Sequence, residues 1–356
     1  MGLIAGEVVC RIHDRMLGNR APIIVDFSTF AEKAWFEPHP YLVYVFKPNI
    51  SFVKDKFDRG HFQINSFGFR STLEFDVHDL EPAPNTFRVA VLGGSTTMGV
   101  NDNDEVWPYL LGEYLRGSIG KQRVEILNEG TMGYTSLDNL IDLSIRIVDF
   151  DCDCYVLYLG INDYLAEAPP DVFRTDHAHF RRTLWENLHF SLVEILPPPF
   201  LRSKLVQRLL LLFGIQDRRD LLKNTNTQIF RSSHRMRLLQ GTREEQAAAK
   251  KAVRDSVVRN VASMVGVIRA HRPDAIIVLS SFYHVGNPQY IQELNQALQA
   301  FAQKTNIAFA NPAETLPHNK SMAFDYGHFT PKGDREMANV FGAVIVRERE
   351  KALLAK

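Results

Sequence analysis

The sequence predicts an α/β fold: a mostly parallel sheet with helices on both faces. Three observations carry the prediction. From Arg88 onward, short runs rich in Val, Ile and Leu alternate with stretches of helical periodicity. The first three of these runs end in turns carrying Gly with Ser, Asn or Asp, the residues found where open α/β sheets bind ligands. The chain has 356 residues, 45% of them hydrophobic, enough to bury a large core.

Residues 1–85 show no such alternation and read as an N-terminal extension wrapping the domain that follows. Phe36-Glu-Pro-His-Pro-Tyr-Leu-Val-Tyr-Val-Phe-Lys-Pro48 mixes prolines with aromatics, and Ile64-Asn-Ser-Phe-Gly-Phe-Arg-Ser71 is a second aromatic turn segment. Such segments bury their rings against a neighbouring domain. Glu81-Pro-Ala-Pro-Asn85 reads as a linker. Gly2 to Cys10 is mildly apolar but short, with no basic leader and no cleavage site. It reads either as the end of a membrane anchor or as a helix docked on the domain, and the second is preferred.

The main domain spans 86–350. Its first strand, Arg88 to Leu92, runs into Gly93-Gly94-Ser95, and a helix is expected soon after the serine. No Lys follows the glycines, so this is not a P-loop, and Thr97 excludes the Gly-x-Ser-x-Gly elbow. Asp104 to Leu115 has helical spacing of Trp107, Leu110, Leu111 and Leu115. Val124 to Leu127 is the second strand, and Ser136 is expected to cap a helix running to about Val148. Cys154 to Leu159, Asp274 to Ser280 and Ile307 to Ala310 complete five strands, with helices at Gln289–Lys304 and Pro331–Glu348. A helical insertion occupies about 164–270. It contains Pro197–Pro199, the apolar run Leu205–Phe213 and a charged helix, Arg243–His271. The apolar run is too short to span a bilayer. Packing on the domain is preferred over a role as a lid.

Charge and cysteine content narrow the function classes. Lys plus Arg and Asp plus Glu both number 41, so no bulk charge points to nucleic acid. The three cysteines cannot frame a disulfide scaffold, and Cys152 and Cys154, with no His cluster beside them, read as buried thiols and not metal ligands. No cofactor and no metal is expected.

Parallel strands bring four distant turns to one sheet edge. They carry Ser95; Gly130 and Gly133; Gly160, Asn162 and Asp163; and Asp325-Tyr-Gly-His328. Each has a bland alternative, such as a capping serine, a structural histidine or an Asx turn. Together they have the parts for acyl transfer. A serine hydroxyl needs a base, and His328 is the natural one, since imidazole is the side chain suited to general-base work at neutral pH. Asp325, three residues before it, can fix the tautomer. The Ser95 N–H, the Gly133 N–H and the Asn162 amide can face a developing oxyanion.

These blocks resemble the SGNH hydrolases, the GDSL-like esterases and lipases. Gly93-Gly-Ser-Thr-Thr-Met-Gly99 is similar to the first block, Asn128-Glu-Gly-Thr-Met-Gly133 to the second, Gly160-Ile-Asn-Asp163 to the third and Asp325-Tyr-Gly-His328 to the last. The resemblance implies a flavodoxin-like three-layer fold and catalysis without metal. It implies Ser95 as nucleophile, Gly133 and Asn162 as oxyanion donors, and His328 with Asp325 completing the triad. One departure stands: Gly94 replaces the usual Asp, a mild change that slightly favours an altered substrate preference. Asn65 to Arg70 also resembles bacterial members with an N-terminal extension, some of them membrane-anchored and acting on surface polysaccharides.

The leading expectation is therefore a serine esterase that removes an acyl group, acetyl included, from a carbohydrate or small metabolite. The alternatives are an acyltransferase using the same triad and a catalytically silent scaffold. A bare scaffold does not need Ser95, Asn162, Asp325 and His328 together. Expected partners are an ester substrate, no nucleic acid, no membrane span and at most peripheral membrane contact. The compartment would be the cytoplasm or, given an upstream anchor, the bacterial envelope.

Overall fold

The computed structural model describes residues 2–17, 36–53, 61–71, 73–74, 80–120, 122–181, 203–212 and 237–354. Five parallel strands form the central sheet: β5 (Thr86–Gly93), β6 (Arg123–Asn128), β7 (Cys154–Tyr158), β8 (Ile276–Ser280) and β9 (Ala308–Ala310). Their spatial order is β6-β5-β7-β8-β9, the flavodoxin-like arrangement. Every residue of β5 and β7 is buried, which is why both read as unbroken apolar runs in place of an alternating pattern. The chain passes from β5 to β6 on one side and then crosses back to β7 on the other. That reversal makes the carboxyl ends of β5 and β7 the crevice of the sheet.

Helices α3 (Trp107–Ser118) and α9 (Pro331–Leu354) pack together on one face, with Trp107 stacked on Phe341 at 4.7 Å. Helices α4 (Ser136–Ile145), α6 (Arg243–His271) and α7 (Gln289–Thr305) cover the other. Two further helices are single turns, α2 (Ser95–Met98) and α8 (Pro312–Thr315).

Several boundaries differ from the sequence expectation. α3 begins at Trp107, not Asp104, because Asp102–Glu105 closes its own turn and Pro108 suits the first helical turn. Thr135, not Ser136, caps α4. It forms a capping box with Asp138, which leaves the Ser136 hydroxyl for Asp163. α4 ends at Ile145 because Arg146 leaves helical geometry, and Ile147–Phe150 continues as a 3-10 turn.

α6 was counted with the insertion but works as the crossover helix from β7 to β8. Its buried stripe, Val253, Val257, Val261, Met264 and Ile268, repeats every three or four residues and joins the main core. Of its Ala-Ala-Ala tract only Ala249 is buried. Helix α5 (Lys204–Leu212) carries most of the apolar run and packs on α1 (Gly2–Leu17). The Glu7 carboxylate accepts from the Lys204 N–H at 3.0 Å, the Leu205 N–H at 2.9 Å and the Ser203 hydroxyl at 2.8 Å, capping α5 from another helix. Pro197–Pro199 and Phe213 lie outside the described residues. Among the described residues no helix is long and apolar enough to cross a membrane.

The N-terminal segment contributes two antiparallel ribbons, β1 (Phe36–Pro38) with β2 (Tyr44–Phe46), and β3 (Ser51–Val53) with β4 (His61–Gln63). Phe46 and Phe69 are buried, as its aromatic content predicts. Cys152 and Cys154 are fully buried free thiols, and burial raises both thiol pKa values.

Candidate active site

Ser95 stands at the carboxyl end of β5, the interior strand between β6 and β7 and beside the crevice. Gly94 ends the strand in an extended conformation, and its carbonyl accepts from the N–H groups of Thr97 and Met98, both at 3.0 Å. That bonding winds the single turn α2 and holds Ser95 at its first position. Two outside groups keep the turn in place. The Trp107 indole donates to the Thr96 carbonyl at 3.0 Å. The buried Arg70 donates to the carbonyls of Met98 at 2.9 Å, Gly99 at 2.8 Å and Asn101 at 2.5 Å. A guanidinium has five donors in a fixed fork, so one side chain can grip three carbonyls in succession.

The loop after β9 brings the histidine. Asp325 Oδ1 accepts from the N–H groups of Gly327 and His328, both at 3.0 Å, a local Asx turn. Its other oxygen, Oδ2, lies 2.7 Å from His328 Nδ1. His328 Nε2 lies 2.8 Å from Ser95 Oγ, although the two residues are 233 positions apart. Partial burial raises the Asp325 carboxyl. Hydrogen bonds from the His328 ring and from the Gly327 and His328 N–H groups outweigh that and lower it to about 2. Asp325 is thus ionised at neutral pH and can only accept. In the neutral imidazole the proton then sits on Nδ1, and Nε2 is left with a lone pair toward the serine.

The second block lies along the first. Glu129 N–H donates to Val91 O at 3.0 Å, and Thr131 N–H donates to Gly93 O at 3.2 Å. Gly130 abuts the α2 backbone, where a Cβ would stand 2.1 Å from Met98 N, so its part is packing and not chemistry. Gly133 adopts φ +78°, the left-handed region that glycine favours. Among the described residues neither its N–H nor that of Ser95 meets a hydrogen-bond acceptor. Both backbone donors are therefore left unengaged by the described residues.

Asn162 supplies a third donor. One hydrogen of Nδ2 is given to Tyr134 O at 2.9 Å, and the other remains. A Cβ on residue 94 would lie 2.5 Å from Asn162 Nδ2, so Gly94 lets this amide stand close over the end of the strand. Asp163, fully buried, takes no part in the chemistry. It accepts from the Ser136 N–H at 2.9 Å and the Ser136 hydroxyl at 2.6 Å, tying the third block to α4, and burial raises its carboxyl to about 7.

The structure thus joins Ser95, His328 and Asp325 in one chain of contacts and sets Asn162 over Gly94. Three supporting residues were missed at the sequence level. Arg70 was quoted only within an aromatic turn segment. Tyr44 lay unmarked among prolines and aromatics, although its hydroxyl reaches the Met132 carbonyl. Asp334 follows the last block by six positions. It accepts from Trp107 N–H at 3.0 Å and Asn101 Nδ2 at 2.5 Å, linking the start of α9 to the loop behind Ser95. Beside His328 lies a pair of stacked rings: the Tyr326 ring is 5.4 Å from the imidazole, and His284 stacks on Tyr326 at 5.9 Å.

Residues 91–336 match the family model described as the GDSL-like Lipase/Acylhydrolase family. No curated protein matches the chain in sequence. Similar solved structures include a lipase/acylhydrolase from Enterococcus faecalis, at 17% identity and TM-score 0.40, covering 74% of this chain and 94% of that one. An acetylxylan esterase from Geobacillus stearothermophilus aligns at 14% identity and TM-score 0.41, over 72% of this chain and 92% of that one. A carbohydrate esterase family 3 protein from Talaromyces cellulolyticus aligns at 13% identity and TM-score 0.42, over 74% and 99%.

Proposed function

Since the chain belongs to the GDSL-like lipase/acylhydrolase family and is an SGNH-type hydrolase of carboxylic esters, we propose that Ser95, His328 and Asp325 are its catalytic triad. The observation that carries the reading is the His328 ring, with Nε2 2.8 Å from Ser95 Oγ and Nδ1 2.7 Å from Asp325 Oδ2. Nε2 takes the serine proton as Oγ adds to the ester carbonyl. Asp325 holds the ring and stabilises the imidazolium that forms. The negative charge moves onto the carbonyl oxygen, facing the N–H groups of Ser95 and Gly133 and the free hydrogen of Asn162 Nδ2. His328 then gives its proton to the departing alkoxide, leaving an acyl-serine. Water, deprotonated by the same imidazole, releases the acid and restores Ser95.

The substrate we propose is an acyl ester of a carbohydrate or small metabolite, acetyl included. The group that protonates the leaving alcohol must lie on the leaving-group side. Beside the imidazole stands Tyr326 with His284 stacked on it, an aromatic surface that suits the C–H face of a sugar ring. The test is a series of p-nitrophenyl esters of increasing chain length beside an acetylated oligosaccharide, run with and without a free sugar acceptor. Wild-type protein is expected to favour acetyl and to release acetate, and Ser95→Ala to turn over none of them. Undiminished turnover in Ser95→Ala contradicts the triad. A preference for long chains contradicts the substrate, and acyl transfer to the acceptor in place of acetate release contradicts hydrolysis.

A further inference from the structure

Residues Thr131 to Tyr134 form a tight turn closed by Tyr134 N–H donating to Thr131 O at 3.2 Å. Its third residue, Gly133, has φ +78°, the signature of a type II turn. Type I and type II turns differ by a flip of the central peptide unit, here the one joining Met132 to Gly133. That unit is a rigid plane, so the direction of the Met132 carbonyl fixes the direction of the Gly133 N–H. Glycine occupies positive and negative φ about equally well, so the turn alone does not choose between the two orientations.

The N-terminal segment makes the choice. The Tyr44 hydroxyl donates to the Met132 carbonyl, and it lies 2.6 Å from where a Cβ on Gly133 would stand. Tyr44 is itself fixed. Its carbonyl accepts from the Tyr134 hydroxyl, and its ring lies 5.7 Å from that of Tyr134 and 4.7 Å from that of Phe36. Leu42 and Val45 bury Tyr134 from the same side. Tyr134 in turn offers its carbonyl to Asn162 Nδ2 at 2.9 Å. Two tyrosines thus hold both the Gly133 peptide and the Asn162 amide.

We propose that Tyr44 is a positioning residue of the active site. It latches the Met132–Gly133 peptide so that the Gly133 N–H stands in the oxyanion position before substrate arrives. Strand β2, outside the family-matched region, is then a working part of the site. The inference rests on the oxyanion reading given above. A donor already in place costs no reorganisation when charge develops, and donation to a carbonyl polarises the N–H of the same peptide.

The experiment is Tyr44→Phe, which keeps the ring and removes the O–H. On a short-chain ester, kcat is expected to fall about 10- to 100-fold, a part of what losing a whole oxyanion donor costs. KM should stay within about twofold, since the ground-state carbonyl uses these donors little. Affinity for a short-chain trifluoromethyl ketone, whose serine adduct carries an oxyanion, should fall by the same factor as kcat/KM. Rates are counted per site labelled by a fluorophosphonate. Unchanged kcat per labelled site and unchanged ketone affinity overturn the proposal, even if the melting temperature drops. Should Tyr44→Phe not fold, Tyr134→Phe loosens the same latch and should lower kcat and ketone affinity together. Their constancy in that variant overturns the proposal equally. Ser95→Ala in the same assay separates the two readings. If it remains active, the site assignment fails. If it is inactive while Tyr44→Phe behaves as wild type, only the latch fails.

Discussion

A glycine and an asparagine decide how the proposed oxyanion donors are arranged. A side chain on residue 94 would meet the end of Asn162, a group that can swing away, and not rigid backbone. The cost of Gly94→Ala should therefore fall on rate more than on folding. Asn162→Ala is expected to lower kcat by about 10²–10³-fold. Gly94→Ala should lower it in the same direction, yet add little in an Asn162→Ala background, because both act through one amide. A double-mutant cycle on kcat measures this, and fully additive losses contradict it. The four site blocks were legible from the sequence because three stand at strand ends and the fourth in the loop before the last helix, each with its short-range spacing intact. Gly94 was legible as a departure, but its contact with Asn162 was not, since that residue lies 68 positions later. Tyr44 was not legible at all: it acts through one hydroxyl on a carbonyl 88 positions away, and nothing local marks that.

Single turns and loops, more than long helices, carry the chemistry, and they keep their shape through buried side-chain clamps. Arg70 is the strongest of these. Besides its three carbonyls it donates through Nε to Asn103 Oδ1 at 2.9 Å, so it ties α2 to the loop before α3. Arg70→Ala removes a charged donor from several buried acceptors and should destabilise the fold by about 3–5 kcal/mol, read by denaturant unfolding. A loss below about 1 kcal/mol would contradict the clamp. The five strands of the parallel sheet were legible to within two residues because strands covered on both faces are unbroken apolar runs, whereas the short ribbons β1 to β4 were not. The helix starts were less so: Thr135 and Ser136 both have capping side chains, and only the fold shows that Asp163 claims the serine. The role of α6 was hidden in another way. It follows a long insertion in the chain but belongs by its apolar stripe to the sheet.

The whole molecule carries a pH signature set by its buried acids. Burial raises Asp163 and Asp334 from the usual 3.8 to about 7 each. Folded, they keep a proton up to about pH 7; unfolded, they release it near 4. Through these two groups the folded state binds more protons between those limits, so their contribution to stability falls as pH rises from about 4 to 7. His177, which burial lowers to about 4, opposes this below pH 6.5, since the unfolded chain then binds the extra proton. Asp163→Asn removes one falling component, so the drop in melting temperature between pH 5 and pH 8 should shrink relative to wild type. An unaltered drop contradicts the assignment. At this scale the layered fold and the meeting of four loops were readable in advance. The joining of the N-terminal ribbons to the site was not, because it depends on contacts between segments with no shared pattern. The central claim is that Ser95 is activated by His328, and intact-protein mass spectrometry after treatment with a fluorophosphonate tests it most directly. The expected result is one adduct per chain, mapped by peptide sequencing to Ser95 and absent from His328→Ala. An adduct on a different residue, or none on the folded wild-type protein, would contradict it.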